Sequence, residues 1–339
     1  MGGLSGRVAD LGVAGRNGVQ LAVEQCNATG GIAGRQVELV VRDDEQNPET
    51  AKRVVGELIG RRIELIIGPM TSSVAMAVMP QINASQSILL SPTVTTTDLG
   101  GQDDNFLRVI SATTNYASRN ASYLYEKLAS RSVAVVYDAD NRSYSESWLN
   151  GFRSVFTAQG GKIVLTKAFY SGRDTVFQPL VRELLASQAD TVLIVSGAVD
   201  SALICQQIHK LVPHMRIAMA EWASTERFIE LAGKAAEGVV VAQFMDRNDT
   251  SQRYRNFLAA YRARFSQDPG FAGMASYDAA LVALEAYTIR KKGQSLKSAI
   301  LGKGTFQGVQ QAISFDTSGD ANRNTFTAVI LNGQYVTVQ

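Results

Sequence analysis

The amino-acid sequence predicts an α/β fold with two lobes, each a doubly wound parallel sheet. Three observations point there. Strand-like and helix-like stretches alternate almost without interruption from residue 37 to residue 244. The strand-like stretches are near-continuous apolar runs, as expected of parallel strands covered on both faces. The chain has 339 residues, about two domains at roughly 150 residues each.

The elements follow in order. "VELVVRD" (37–43) reads as a strand and 49–61 as a helix; "IELIIG" (63–68) is a strand, 73–84 a helix and "ILLS" (88–91) a strand. After "NFLRVI" (105–110) the pattern restarts with helix 114–129, strand "SVAVVYD" (132–138), helix 145–159 and strand "KIVLTKAF" (162–169). It continues through helix 175–187, strand "DTVLIVS" (190–196), helix 199–211, strand "RIAMA" (216–220), helix 223–232 and strand "GVVVAQF" (238–244). Two long helices then follow without a strand between them, 251–267 and 275–292, and a short helix near 295–301. The tail carries strands and an Asn-Gly turn signal at 332–333. The chain is expected to cross between lobes near 110–114, 244–250 and 317–325. That places lobe 1 at 1–111 plus 247–318 and lobe 2 at 112–246 plus 319–339. No Pro-rich or low-complexity linker marks these points, so several short connections should form a hinge that bends.

Composition excludes several functions. A formal net charge of +2 and no basic stripe interleaved with aromatics argue against nucleic acid. The cations at 61–62 and 290–292 fall at helix ends, where the dipole favours them. No apolar run reaches the length of about 18 residues that a spanning helix needs. The opening "MGGLSGRVADLG" is loop-like and carries no secretory leader, so an upstream segment is expected to have been removed. Cys26 and Cys205 each fall in a helical pattern and are expected to be buried hydrophobes, not a bridge. Cys205, His209 and His214 offer three zinc-type ligands, but the plainer reading is a core cysteine beside a surface turn, and no metal or other cofactor is expected. No G-x-G-x-x-G follows a strand, and P-loop, G-x-S-x-G and H-E-x-x-H motifs are absent. With only two histidines, no nucleophile–base pair is evident, and no enzymatic activity is expected.

The positive signal is a crowd of hydroxyls where strands end. "IIGPMTSS" places Thr71, Ser72 and Ser73 between strand 63–67 and the next helix. "LLSPTVTTTDLG" places Ser91, Thr93, Thr95, Thr96 and Thr97 after the following strand, which Pro92 stops. Ligands of open α/β sheets bind outside the carboxyl ends of strands, and a helix N-terminus with added hydroxyl donors suits an anion such as a carboxylate. A plain helix cap would need one hydroxyl, not three. If the two strands are neighbours, both clusters face one crevice.

The residues also resemble a known family. The stretch "GGLSGRVADLGVAGRNGVQLAVEQCNATGGIAGRQVELVVRDDEQNPETA", then "IIGP-x-x-S", "LSPT", "GVVVAQF", "YDAALVALEA" and "ISFDTSGD", is similar to the type I periplasmic solute-binding proteins, specifically the branched-chain amino-acid (leucine/isoleucine/valine) group of ABC transporters. The likeness covers essentially the whole chain, although the family's apolar first strand and secretory signal are not in this sequence. It implies two lobes joined by a three-stranded hinge that close on a small ligand, usually an L-amino acid, in the manner of a Venus flytrap. It also implies an extracytoplasmic, periplasmic monomer, lipid-anchored in some settings, that delivers its ligand to the membrane subunits of an ABC permease. By position, Ser72 matches the residue holding the ligand carboxylate, with Ser73 its neighbour, and Thr93 and Thr95 match the pair on the next loop. Leu11, in the first loop, matches a cleft-wall residue. In the second lobe Tyr144 matches an aromatic that closes over the ligand, and Glu221 an acid that pairs with the ammonium. Two departures stand out. The Tyr144 loop is two residues longer, with Ser145 where Gly is common. "VSGAVDS" (195–201) lacks an aromatic, offering Ser196, Ala198 and Asp200, so Trp222 is expected to fill part of that space. Alternative readings are the sensing domain of an extracytoplasmic signalling receptor and, more remotely, an α/β enzyme. On the residues alone, Glu221 also reads as a solvated helix-start acid and Tyr144 as a core aromatic.

Overall fold

The computed structural model of the chain describes residues 1–6, 9–173 and 176–338. In chain order it contains α1 (Ala9–Ala28), α2 (Pro48–Gly60), β1 (Leu65–Ile67), α3 (Ser72–Asn83), β2 (Ile88–Ser91), β3 (Phe106–Arg108), α4 (Thr113–Ser122), β4 (Ser132–Asp138), α5 (Arg142–Ala158), β5 (Lys162–Phe169), α6 (Gln178–Ala186), β6 (Thr191–Val195), α7 (Ala198–Leu211), β7 (Arg216–Met219), α8 (Glu226–Ala232) and β8 (Val240–Gln243). Then come α9 (Gln252–Phe265), α10 (Gly270–Ile289), α11 (Leu296–Lys303), β9 (Thr305–Gln307), β10 (Ala312–Ser314), β11 (Phe326–Leu331) and β12 (Gln334–Val338). The chain divides into two compact units, Met1–Ala112 with Asp249–Asn324, and Thr113–Asn248 with Thr325–Gln339.

Unit 1 holds a parallel sheet in the order β1-β2-β3 and a small antiparallel pair, β9 with β10. Successive residues of β2 serve opposite faces. Leu89 packs with Val55 and Val78 of α2 and α3, while Leu90 packs with Val282 and Ile300 of α10 and α11. That is the physical content of an all-apolar strand. Helix starts follow local chemistry. Asn47 Oδ1 accepts from the amides of Glu49 and Thr50 ahead of Pro48 at the start of α2. Ser251 and Ser295 cap α9 and α11 in the same manner.

The expected strand at 37–43 is corrected. Glu38–Val41 pair with no strand, and only Asp43 forms a bridge, to Gly2. The reason is a missing neighbour: β1 is paired on one side only, with β2. Residues Val37–Val41 face it across a cavity of about 630 Å³ lined by Val19, Val23, Leu65, Ile67 and Leu284 among others. Met1 and Gly2 fill the end of that gap. The Met1 ammonium donates to Ile67 O at 2.7 Å, and Gly2 N donates to Arg42 O at 3.2 Å.

Unit 2 holds a seven-stranded sheet in the order β12-β11-β8-β7-β6-β4-β5, parallel from β8 through β5, with β11 and β12 antiparallel. One face is covered by α6, α7 and α8 through Val181, Ile204, Cys205, Ile208 and Phe228. On α5 the rings of Trp148, Phe152 and Phe156 stack along one face with centroids 5.6 and 5.1 Å apart. The expected helix 114–129 ends at Ser122 and continues as a wider π turn, Tyr123–Lys127. The expected helix 175–187 begins at Gln178, and residue 175 lies outside the described residues. The region 223–232 splits into a 3₁₀ turn, Glu221–Ala223, and α8. Cys26 is half-buried, contrary to expectation, because it sits on the outer side of α1; Cys205 is buried, and burial pushes its thiol pKa up. Among the described residues no helix is long and apolar enough to cross a membrane.

The β11–β12 hairpin turns on Asn332 and Gly333, both left-handed (φ 52° and 70°), with Leu331 opposite Gln334. This is the two-residue turn that Asn-Gly favours. No atom lies within 4 Å of a Cβ built on Gly333, so the penalty for a side chain is conformational alone. Gly333→Ala is expected to lower stability by about 1 kcal/mol, read as a lower urea midpoint with an unchanged slope.

Candidate functional site

In unit 1 the two hydroxyl clusters meet. β1 and β2 are adjacent and parallel, with Ile67 opposite Leu90, so the turns leaving them emerge side by side. Hydrogen bonds tie the turns together. Thr93 Oγ1 donates to Met70 O at 2.7 Å, Ser91 Oγ to Pro69 O at 3.4 Å, and Thr96 N to Ser72 Oγ at 3.4 Å.

The hydroxyls divide into two kinds. Those of Ser91, Thr93 and Thr96 hold the backbone: Ser91 Oγ also accepts from Val94 N, and Thr96 Oγ1 from Asp98 N. Thr95 Oγ1 is buried and has no partner. Ser72 is the first residue of α3, 2% exposed, with Ser73 following it. Thr71 stands at the N-cap with extended backbone (φ −119°, ψ 147°), yet its side chain makes no cap bond. The three hydroxyls of 71–73 therefore do not reduce to a plain cap. The first turn of α3 keeps its partial positive charge beside an unpartnered hydroxyl, a combination suited to a carboxylate. The carry-over of Thr93 needs a change of detail, because its side chain is committed to Met70 O and serves to position the loop. Leu11 is buried in the first turn of α1, not in a loop as expected, because helical structure is already established at Ala9.

In unit 2 four candidates gather at the carboxyl ends of β6 and β7. Ala198 opens α7 behind Gly197, whose position lies against the Trp222 indole: a Cβ there would sit 3.5 Å from the ring. Trp222 meets the Tyr144 ring edge-on at 5.5 Å. Trp222 N donates to the Tyr144 hydroxyl at 3.4 Å. Tyr144 lies in the first turn of α5 and is buried, and burial together with Glu221 pushes its phenol pKa well above the ordinary value.

Glu221 is 4% exposed, which removes the reading of a solvated helix-start acid. Its Oε2 accepts from Trp148 Nε1 at 2.7 Å, while Oε1 has no partner. Burial raises its pKa to about 7, and the Trp148 and Tyr144 bonds offset that only in part. Among the described residues no Lys, Arg or His forms an ion pair with it. Two members of this neighbourhood were not picked out in the sequence. Trp148, one turn after Tyr144, is spaced like a core aromatic. Asn120 on α4 donates from Nδ2 to Met219 O at 3.0 Å and leaves Oδ1 buried and unpartnered. Nothing in the spacing of either marks it; only the tertiary fold brings Trp148 to Glu221 and Asn120 to Met219, two residues before it.

Residues 1–334 match a family described as periplasmic binding protein. The Leu/Ile/Val-binding protein BraC3 of Rhizobium johnstonii is 28% identical over 244 residues, 72% of this chain and 66% of that protein. The Leu/Ile/Val-binding protein homolog 3 of Brucella melitensis is 24% identical over 332 residues, covering 95% and 88%. The fold matches the crystal structure of the branched-chain amino-acid substrate-binding protein LivJ of Streptococcus pneumoniae with isoleucine (TM-score 0.91, 24% identity, 99% and 97% covered). It also matches an ABC-transporter solute-binding protein from R. palustris with benzoate (TM-score 0.90, 19% identity, 99% and 93% covered).

Proposed function

Because this chain belongs to the periplasmic binding protein family, we propose that it captures an L-α-amino acid or a related small carboxylate outside the cytoplasmic membrane and hands it to an ABC permease. The observation that carries this reading is the first turn of α3, whose N-cap Thr71 makes no side-chain cap bond, beside the unpartnered Thr95 hydroxyl. The ligand carboxylate sits there, held by Ser72, Ser73 and Thr95 on a loop that Thr93 positions. The ammonium meets Glu221, and Tyr144 and Trp222 wall the side chain with Leu11 and Ala198.

The chain changes unit at three points, after Ala112, Asn248 and Asn324. The protein binds and releases its solute unchanged. The family's relatives with leucine, isoleucine and valine in their names, and LivJ with isoleucine, favour an aliphatic amino acid. The benzoate-bound relative makes aromatic carboxylates the comparison set.

The test is a thermal-shift panel of L-amino acids and aromatic carboxylates. A true ligand at a hundredfold excess over Kd adds about 2.7 kcal/mol of stability. In Ser72→Ala that gain should fall below about half, since a hydrogen bond to a charged group contributes ~1.5–3 kcal/mol. An unchanged gain removes Ser72 from the carboxylate seat.

A further inference from the structure

Among the buried acceptors of unit 2 without a partner, which include Ser145 Oγ, Gln159 Oε1 and Gln243 Oε1, are Glu221 Oε1 and Asn120 Oδ1. The last two belong to one neighbourhood. Asn120 bonds the carbonyl of Met219, two residues before Glu221. Tyr116, one turn before Asn120 on the same face of α4, interacts electrostatically with Tyr144, which in turn lies beside Glu221. Trp148 of α5 completes the ring through Glu221 Oε2.

A buried acceptor left without a donor is costly, so two of them in one neighbourhood favour an occupant that donates to both. An ammonium carries three donors and no acceptor. Among the described residues no cation pairs with Glu221: Arg119, next to Asn120 on α4, donates from Nε to Thr327 Oγ1 of β11. α4 presents Tyr116 and Asn120; α5 presents Tyr144, Ser145 and Trp148; α7, packed against the Glu221 turn, carries Asp200 in its first turn; β8 adds no titratable group.

We propose that Asn120 Oδ1 stands with Glu221 Oε1 as a second acceptor for the ligand's cationic head, so that unit 2 selects solutes bearing an ammonium over plain carboxylates. This rests on the reading of Glu221 as the ammonium partner. Asn120 is then a specificity-determining residue: it touches the group that separates an amino acid from its α-hydroxy or deaminated counterpart.

Calorimetric titration of L-leucine and its α-hydroxy analogue into the parent chain, Glu221→Gln and Asn120→Ala separates the possibilities. Asn120→Ala is expected to weaken L-leucine about tenfold or more and the hydroxy acid by less than about threefold. Equal losses for the two ligands, or none, make Asn120 a purely structural residue and overturn the proposal. If Glu221→Gln also leaves L-leucine unchanged, the ammonium reading of Glu221 fails with it; absence of binding by the parent chain ends both.

Asn120→Asp guards against misfolding of the alanine variant. It keeps an acceptor at Oδ1 and sets a second carboxyl beside Glu221. The pH midpoint of L-leucine binding is expected to move upward by about one unit or more, as for carboxylates sharing a site. An unmoved midpoint places Asn120 away from the ligand's head and overturns the proposal.

Discussion

Glu221→Gln is expected to make the ligand-free protein more stable and the amino-acid complex weaker. The carboxyl is buried and its pKa is raised from 4.5 to about 7, mainly by desolvation. Between those values the folded chain holds a proton that the unfolded chain has released. Stability therefore falls as pH rises through 4.5 to 7 and is flat above it. At 1.36 kcal/mol per unit the full cost is ~3 kcal/mol above pH 7. The amide variant does not titrate and retains an acceptor for Trp148 Nε1, so above pH 8 it should exceed the parent by about 1–3 kcal/mol. Below pH 4.5 the two should converge. Denaturant midpoints at pH 4, 6 and 8 check this, and a constant difference across pH would locate the effect elsewhere. Binding moves the opposite way: loss of a charge-assisted bond costs ~1.5–3 kcal/mol, roughly 10- to 150-fold in Kd for an amino acid. A site that keeps a destabilising group is expected where the group serves the ligand.

Arg323→Met should destabilise unit 1 by about 3–5 kcal/mol. Arg323 Nη1 donates to Asp278 Oδ2 at 2.8 Å with both side chains wholly buried. The other Asp278 oxygen accepts from Val309 N at 2.7 Å, and Gly308 lies close against the carboxylate, where an added Cβ would sit 3.0 Å from Oδ2. Without the guanidinium, Asp278 must bury a lone charge or take up a proton, and desolvation already pushes its pKa upward. Pairing the change with Asp278→Leu removes both charges and is expected to recover most of the loss, because an apolar pair of similar volume replaces a buried ion pair at little cost. A double-mutant cycle from urea midpoints measures the coupling. Additive losses would mean the two charges are stabilised independently.

Periodicity and turn chemistry carried much of the fold. The apolar runs 132–138 and 190–196 contain β4 and β6, and Asn332-Gly333 turns the last hairpin. These are local signals, each complete within a few residues. Where a partner distant in sequence decides the outcome, the reading stopped short. Residues 37–43 have strand composition, yet a ladder also needs a neighbour, and Glu38–Val41 have none. Thr93 and Thr95 are indistinguishable as letters, but one hydroxyl holds Met70 O and the other is unpartnered. Trp148 and Asn120 look like helix-face residues until α5 meets Glu221 and α4 meets the end of β7 at Met219. The Asp278–Arg323 pair spans 45 positions and leaves no periodic trace.

The strand-wide opening between Val37–Val41 and β1 gives unit 1 an uneven resistance to local opening. Backbone amides that face it lack the ladder partners that slow exchange with solvent, and the side chains around it lack neighbours on one side. Solvent deuterium should therefore enter along this seam sooner than along β2, whose neighbours on both sides hold it in place. The first cooperative fluctuation of the unit is expected at this opening, which α1, β1 and α10 line and which extends to Met70 beside the Ser72 turn.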